Sequence, residues 1–263
     1  MRRPRNSATT SYMTPLKKDE IPKMREAGRL AARTLDHVTK FIKAGISTEE
    51  INKIVHDFTL TNGATPAPLG YHGFPKSVCT SVNAVICHGV PDSTVLKDGD
   101  IINVDVTSIK DGFYGDTSRT FFVGEVAGAA RTLTEVAEKA MFKGIEEVRP
   151  FATTGDIGFA INKYVTKHGF HVVREIGGHG IGKIFHDDPF VPSYGKKGRG
   201  PKLVPWSCLT VEPMINESDS AIEEFPIEGS EIKYYMTRDR CLSAQFEHTI
   251  LVTDSGYEIM TLP

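Results

Sequence analysis

Residues 101–124 read IINVDVTSIKDGFYGDTSRTFFVG. Asp105 sits in an apolar run made by Ile101, Ile102, Val104 and Val106, and Asp116 leads into a second run, Phe121, Phe122 and Val123. Between them lies Asp111-Gly112, a strong signal for a two-residue hairpin loop. Such a loop pairs Lys110 with Phe113, Thr107 with Asp116 and Asp105 with Ser118. Side chains alternate along a strand, so both aspartates then share a face, diagonal to one another at roughly 7–8 Å. A three-residue loop would put them on opposite faces. Aspartate is depleted in strands, so two on one face of an apolar hairpin need a reason. A shared metal or a solvated sheet face would each supply one.

A chain of 263 residues suits one large domain or two small ones and can bury a substantial core. Apolar residues make up 40% and charged residues 24%, as in an ordinary soluble protein. A net charge of −2 argues against nucleic acid as the main partner of the whole chain. No apolar run approaches the roughly 18–20 residues of a membrane span. Cys79, Cys87, Cys208 and Cys241 form no C-x-x-C pair, which disfavours a cysteine zinc site. They read as reduced thiols in a cytoplasm-like compartment.

Residues 1–18 hold five basic residues, no acidic ones and no apolar segment, which excludes a secretory signal peptide. Residues 1–17 read as a disordered basic arm, although an Arg/Ser-rich, acid-free composition is also that of an organellar transit peptide. A domain over 18–263 follows. An apolar stripe from Ile21 to Ile42 predicts a helix over 18–43. Ser47 and Glu50 make a capping box for a second helix ending at Asn62-Gly63. An ordered loop is expected over 65–75, and short strands over 77–81 and 84–88. Helices are expected over 128–148 and 154–168, with Thr154 and Asp156 as caps. The residues 189–205 read as a long basic loop, and strands are expected over 209–215, 232–237 and 243–253. Both halves run helices first and acidic strands afterwards, which suggests a weak internal duplication.

Glu212 in LTVEPMI shares a strand face with Thr210 and Met214, and Glu247 in SAQFEHTILVT shares one with Gln245 and Thr249. His179 lies among Gly177, Gly178, Gly180 and Gly182. Singly, each acid reads as a satisfied polar group or part of a solvated face. Together, clustered carboxylates repel by about 1 kcal/mol at 4 Å in water and about 4 kcal/mol at an effective dielectric of 20. Partly buried, they would take up protons or bind cations. Four carboxylates and a neutral imidazole suit two divalent ions, and the oxygen-rich set favours Mn, Fe or Co over the sulfur-rich sites of structural zinc.

NVDVT, YGDTSRTF eleven residues on, GGHGIG, TVEPMIN and AQFEHTILVT, with GYHGFPKSVC and ICHGVP upstream, resemble the type I methionine aminopeptidases. The resemblance covers nearly the whole chain in order. It implies a pita-bread fold of α+β class, an antiparallel sheet with helices on its outer face and pseudo-twofold halves, and makes 18–263 the catalytic domain. It implies an enzyme that removes the initiator methionine of nascent polypeptides when the second residue is small. Asp105, Asp116, His179, Glu212 and Glu247 would hold two divalent ions (Mn, Fe, Co or Zn), with Glu212 also handling protons of the attacking water. His88 would lie near the scissile bond and His186 would contact the carbonyl oxygen. Tyr71, His72, Phe74, Cys79 and Phe185 would line the pocket for the methionine side chain. Asn83, Val85 and Ser243 would hold a monovalent cation, Na or K.

The sequence departs from the family at the pocket rim. Lys233 falls where a Trp is common, and Pro68 where many relatives have Cys. The N-terminal zinc region of cytosolic eukaryotic relatives and the insertion of the type II enzymes are both missing. That pattern implies a cytoplasmic enzyme of bacterial type, or an organellar one if the arm is a transit peptide. A monomer without a membrane partner is expected. The loop from Gly195 to Lys202, GKKGRGPK, either is solvated or touches ribosomal RNA through phosphates. Two further functions remain open at this point: an Xaa-Pro peptidase, which shares the five-ligand pattern, and a non-enzymatic binding module, which typically loses it.

Overall fold

The structure, a computed structural model, describes residues 13–263. Helices α1 (Ile21–Thr39) and α2 (Thr48–Thr61) lead into strand β1 (Thr65–Pro66), a 3₁₀ turn at Tyr71–Gly73, and strands β2 (Cys79–Val82) and β3 (Val85–Cys87). The hairpin β4 (Ile101–Lys110) and β5 (Phe113–Phe122) completes the first half. The second half again begins with two helices, α3 (Gly128–Ile145) and α4 (Thr154–Lys167). Its strands are β6 (His171–Val172), β7 (Gly178–Ile181), β8 (Asp187–Val191), β9 (Cys208–Val211), β10 (Met214–Asn216), β11 (Ile222–Pro226), β12 (Lys233–Thr237), β13 (Ser243–Gln245), β14 (His248–Val252) and β15 (Tyr257–Ile259).

The hairpin has the expected register: Lys110 faces Phe113, Thr107 faces Asp116 and Asp105 faces Ser118. Asp111 and Gly112 both adopt positive φ, 51° and 81°, as a two-residue turn matched to the strand twist requires. β2 and β1 pair with the other edge of β4. In the second half β15, β14, β9, β7 and β8 form one antiparallel sheet. Two small sheets, β13-β10-β6 and β11-β12-β3, complete the architecture.

The halves are joined where β5 meets the residues ahead of β14. Ser118 and Glu247 exchange backbone hydrogen bonds of 3.4 and 3.1 Å. The Thr117 hydroxyl donates to the Glu247 carbonyl at 2.7 Å, and the Thr249 hydroxyl to the Asp116 carbonyl at 2.8 Å. Each half has its own core. Leu35, Val38, Ile51 and Val55 from α1 and α2 pack on Ile102, Val104 and Val106. Leu133, Met141, Ile157 and Ile161 from α3 and α4 pack on Leu209, Val211, Ile215 and Ile250. Removing each such side chain from water contributes about 1.5–3 kcal/mol. α1 can lie on the hairpin because Gly115 has no Cβ, which would stand 2.3 Å from the Ala27 backbone. The result is an α+β fold with antiparallel pairing throughout.

Several boundaries differ from expectation. α1 is shorter than 18–43, with Pro22 in its first turn, where a missing N–H costs nothing. Ser47 and Glu50 cap α2 as expected, whereas Thr153, not Thr154, partners Asp156 at the start of α4. The run 209–215 breaks at Glu212-Pro213 and the run 243–253 at Phe246-Glu247. The basic stretch 189–205 begins inside β8. Residues 1–12 of the expected arm lie outside the described residues, while Met13 is buried and the Leu16 N–H donates to the Trp206 carbonyl at 2.7 Å. No helix among the described residues is long and apolar enough to cross a membrane.

Candidate metal centre

All five expected ligand positions line one cavity of about 360 Å³. Asp105 and Asp116 come from one face of the hairpin, as the even loop length requires. His179 comes from β7, Glu212 from the junction of β9 and β10, and Glu247 from the junction of β13 and β14. Both glutamates therefore sit where the chain leaves one sheet for another. Single carboxylate or imidazole atoms of Asp116, His179 and Glu247 lie within 4.8 Å of one another. His179 Nε2 stands 3.7 Å from Asp116 Oδ2 and 3.5 Å from Glu212 Oε1.

Neighbouring groups orient these side chains. The Thr107 hydroxyl donates to Asp116 Oδ1 at 2.7 Å. The Thr210 hydroxyl donates to Glu212 Oε1 at 2.7 Å, and Gln245 Nε2 to Glu212 Oε2 at 3.2 Å. His179 Nδ1 is 2.9 Å from the Gly180 carbonyl. A carbonyl only accepts, so Nδ1 carries the proton and Nε2 turns its lone pair toward the carboxylates. Gly180 is needed here, because a Cβ would stand 2.0 Å from the Asp188 carbonyl oxygen.

Burial and mutual repulsion dominate the electrostatics. Burial pushes Asp116 up to about 7, and burial together with Asp116 pushes Glu212 up to about 8. Burial and the neighbouring carboxylates push Asp105 and Glu247 well above the ordinary carboxylate range. Burial lowers His179 to about 4, which leaves it neutral. Glu247 Oε1 is buried with no hydrogen-bond partner among the described residues. A buried acceptor without a partner, four crowded carboxylates and a neutral imidazole with its lone pair turned inward fit divalent cations.

The remaining expected positions divide into two groups. Tyr71, His72, Phe74, Cys79, His88, Phe185 and His186 all line the same cavity. Burial keeps the Cys79 thiol well above its ordinary value, so it acts as a small apolar wall group. His88 Nδ1 lies 3.1 Å from the Lys233 carbonyl and so donates to it, which leaves Nε2 as an acceptor. Burial lowers His88, and partial burial with the His179, His88 and His72 imidazoles lowers His186. Asn83 and Ser243 are not in this cavity. They meet elsewhere, the Ser243 N–H donating to the Asn83 carbonyl at 2.9 Å, and Val85 is in neighbouring β3. The side-chain oxygens of Ser243 and its cross-strand partner Asn216 are buried without hydrogen-bond partners among the described residues.

Sequence reasoning missed Ile176, Gly177 and Ile232, which also line the cavity. Gly177 was visible only as part of the glycine cluster. Ile232 enters ahead of β12, beside Lys233, whose own side chain turns away to pair with Glu224. Pro68 is part of the wall. The Gly195–Lys202 loop is exposed but anchored on α4: the Gly155 N–H donates to the Arg199 carbonyl at 3.0 Å, and the Gly198 N–H to Asp156 Oδ1 at 2.9 Å.

A cavity with these side chains on an antiparallel α+β frame is that of a metallopeptidase, and residues 22–254 match metallopeptidase family M24, to which the chain belongs. Within it, a methionine aminopeptidase of Rickettsia prowazekii is 52% identical over 240 residues, 91% of this chain and 92% of that protein. The Escherichia coli K12 methionine aminopeptidase is 46% identical, covering 96% of this chain and 94% of its own. The crystal structure of the Rickettsia prowazekii methionine aminopeptidase superposes with a TM-score of 0.92 at 49% identity, covering 95% of this chain and 100% of that one. A Pyrococcus horikoshii prolidase, 19% identical with a TM-score of 0.75 over 94% of this chain and 63% of its own, shares the fold. The fold is the pita-bread arrangement.

Proposed function

We propose that the protein is a metal-dependent aminopeptidase that removes the initiator methionine of nascent polypeptides when the second residue is small. The observation that supports this reading is one cavity lined by four carboxylates, an imidazole and a thiol and aromatic wall, in a chain 46–52% identical to methionine aminopeptidases. Asp105, Asp116, His179, Glu212 and Glu247 would hold two divalent ions, Mn, Fe, Co or Zn. When bound, such ions polarise a carbonyl, lower the pKa of water and steady developing charge.

The chain's own groups do the rest. Tyr71, His72, Phe74, Cys79 and Phe185 enclose the methionine side chain, whose flexible thioether packs well against aromatic rings. Glu212, steadied by Thr210 and Gln245, handles the proton of the attacking water. His88, an acceptor at Nε2, faces the scissile N–H, and His186 faces the carbonyl oxygen. Asn83, Val85 and Ser243 hold a monovalent cation, Na or K, a reading supported by the buried Ser243 hydroxyl, which has no hydrogen-bond partner among the described residues. The exposed Lys196, Lys197, Arg199 and Lys202 touch ribosomal phosphates. The enzyme acts as a cytoplasmic monomer.

A peptide panel tests the reading on metal-stripped protein reloaded with Mn, Fe, Co or Zn. Release of methionine from Met-Ala-Ser, with little from Met-Arg-Ser, is expected. Exclusive cleavage of Xaa-Pro peptides would overturn it in favour of the prolidase-like alternative.

A further inference from the structure

Tyr71 belongs to the pocket wall, but its hydroxyl does something a wall residue need not do. It lies 2.9 Å from His186 Nδ1. Its ring centroid is 4.9 Å from that of Phe185 and 5.2 Å from that of His186, while Phe185 and His186 stack at 4.1 Å with an interplanar angle of 17°. The imidazole is thus held flat against one ring and bonded by the hydroxyl of another. Among the described residues the Tyr71 hydroxyl has no other hydrogen-bond partner. A phenol is a better donor than acceptor, because an oxygen lone pair is delocalised into the ring, while an imidazole nitrogen without a proton is a strong acceptor. Donation from Tyr71 to Nδ1 is therefore the favoured direction, and it puts the imidazole proton on Nε2.

His88 is fixed the opposite way. The Lys233 carbonyl accepts from Nδ1, and the backbone holds His88 at φ 55°, a conformation uncommon for a residue with a Cβ. One imidazole therefore presents a lone pair to the cavity and the other an N–H. That is the complement of a peptide amide, whose N–H needs an acceptor and whose carbonyl oxygen needs a donor.

We propose that Tyr71 is a positioning residue for hydrolysis, its phenol locking His186 in the Nε2–H form so that His186 and His88 together read the scissile amide as donor and acceptor. The assignment rests on the aminopeptidase reading for its role and on the Tyr71–His186 hydrogen bond for its chemistry.

The test is Tyr71→Phe, which keeps the ring in the wall and removes only the hydroxyl. Two readouts are compared on zinc-loaded protein, wild type and variant. The first is the long-range ¹H–¹⁵N spectrum of the imidazoles, with His186 assigned by its loss in His186→Gln. Wild type is expected to show protonated Nε2 and bare Nδ1, and the variant a mixture of tautomers. The second is turnover of Met-Ala-Ser: kcat is expected to fall about tenfold, the size of one net hydrogen bond, while KM stays within about twofold. A wild-type spectrum with the proton on His186 Nδ1 overturns the proposal by itself, whether or not the variant folds. An unchanged spectrum in the variant, an unchanged kcat, or a loss confined to KM also overturns it. If wild type cleaves no methionyl peptide, the aminopeptidase reading fails separately, and the spectra still decide the tautomer.

Discussion

Glu247 is the residue at which the electrostatics of the cavity are most exposed to experiment. Its Oε1 is buried without a hydrogen-bond partner among the described residues, and burial with Asp116, Glu212 and Asp105 resists its ionisation. Glu247→Gln keeps the shape and removes the charge. In metal-stripped protein at pH 8 this variant should be at least as stable as wild type by thermal melting, yet lose most of the rise in Tm that Mn confers; a stripped variant that melts well below wild type would contradict the electrostatic reading. The same shifts set a pH dependence. Asp116 and Glu212 rise from 3.8 and 4.5 to about 7 and about 8, so the folded metal-free chain keeps protons that the unfolded chain has released. Their contribution is complete below about pH 4 and is lost as pH climbs through 7 to 8, with a limiting slope of about 1.4 kcal/mol per pH unit for each proton. His179, lowered to about 4, acts in the other direction, costing stability as pH falls from 6.5 toward 4. Stripped protein should therefore lose Tm between pH 6.5 and 8.5, and Mn should raise Tm more at the upper end, because its ligands bind it without their protons. A Tm that climbs across that window without metal would count against the shifts.

Among the elements, the β4–β5 hairpin was the most legible. Asp111-Gly112 dictated a two-residue turn, the turn dictated the register, and the register put Asp105 and Asp116 on one face. One alanine inserted between Asp111 and Gly112 should move one aspartate to the opposite face, so that Mn affinity falls by more than about tenfold while the circular dichroism spectrum stays close to wild type. Retained affinity would show that the hairpin does not set the site. The C-terminal strands were less legible. LTVEPMI and SAQFEHTILVT keep their apolar texture through Glu212 and Glu247, but the backbone changes partners there: β9 pairs with β14 and β7, whereas β10 pairs with β13 and β6. Alternation reports which face a side chain takes and is silent about which strand lies alongside. Pro213, which lacks an N–H for a ladder, was the available hint of the first break. β1 and β6 are only two residues long, too short for any period to show. Of the glycines around His179, Gly180 is the one where β7 comes closest to β8. Gly180→Ala would set a methyl 2.0 Å from the Asp188 carbonyl oxygen, so β7 must shift against β8. Turnover should drop at least about tenfold with overall secondary structure kept, as is usual when supporting geometry slips by about 1 Å; full activity would mean that β7 moves without cost.

On the scale of the whole molecule, each half buries its own core, and the site forms only where the halves meet. Asp105 and Asp116 come from one half, His179, Glu212 and Glu247 from the other, with the Ser118–Glu247 and Thr249–Asp116 hydrogen bonds joining them. The five side chains were legible as residue types in apolar strands. Their convergence was legible through the family resemblance and not through strand periodicity, since it depends on two sheets being brought together across more than a hundred residues of chain. The wall residue Ile232 stayed hidden for the same reason: it reaches the cavity through a hairpin that carries no motif. The most direct test of a metal-dependent aminopeptidase is methionine release from Met-Ala-Ser by stripped protein, followed as Mn, Fe, Co or Zn is added. No release before metal and rapid release after at least one of the four is the expected result. Release at the full rate from protein shown to be metal-free, or none with any of the four, would contradict it.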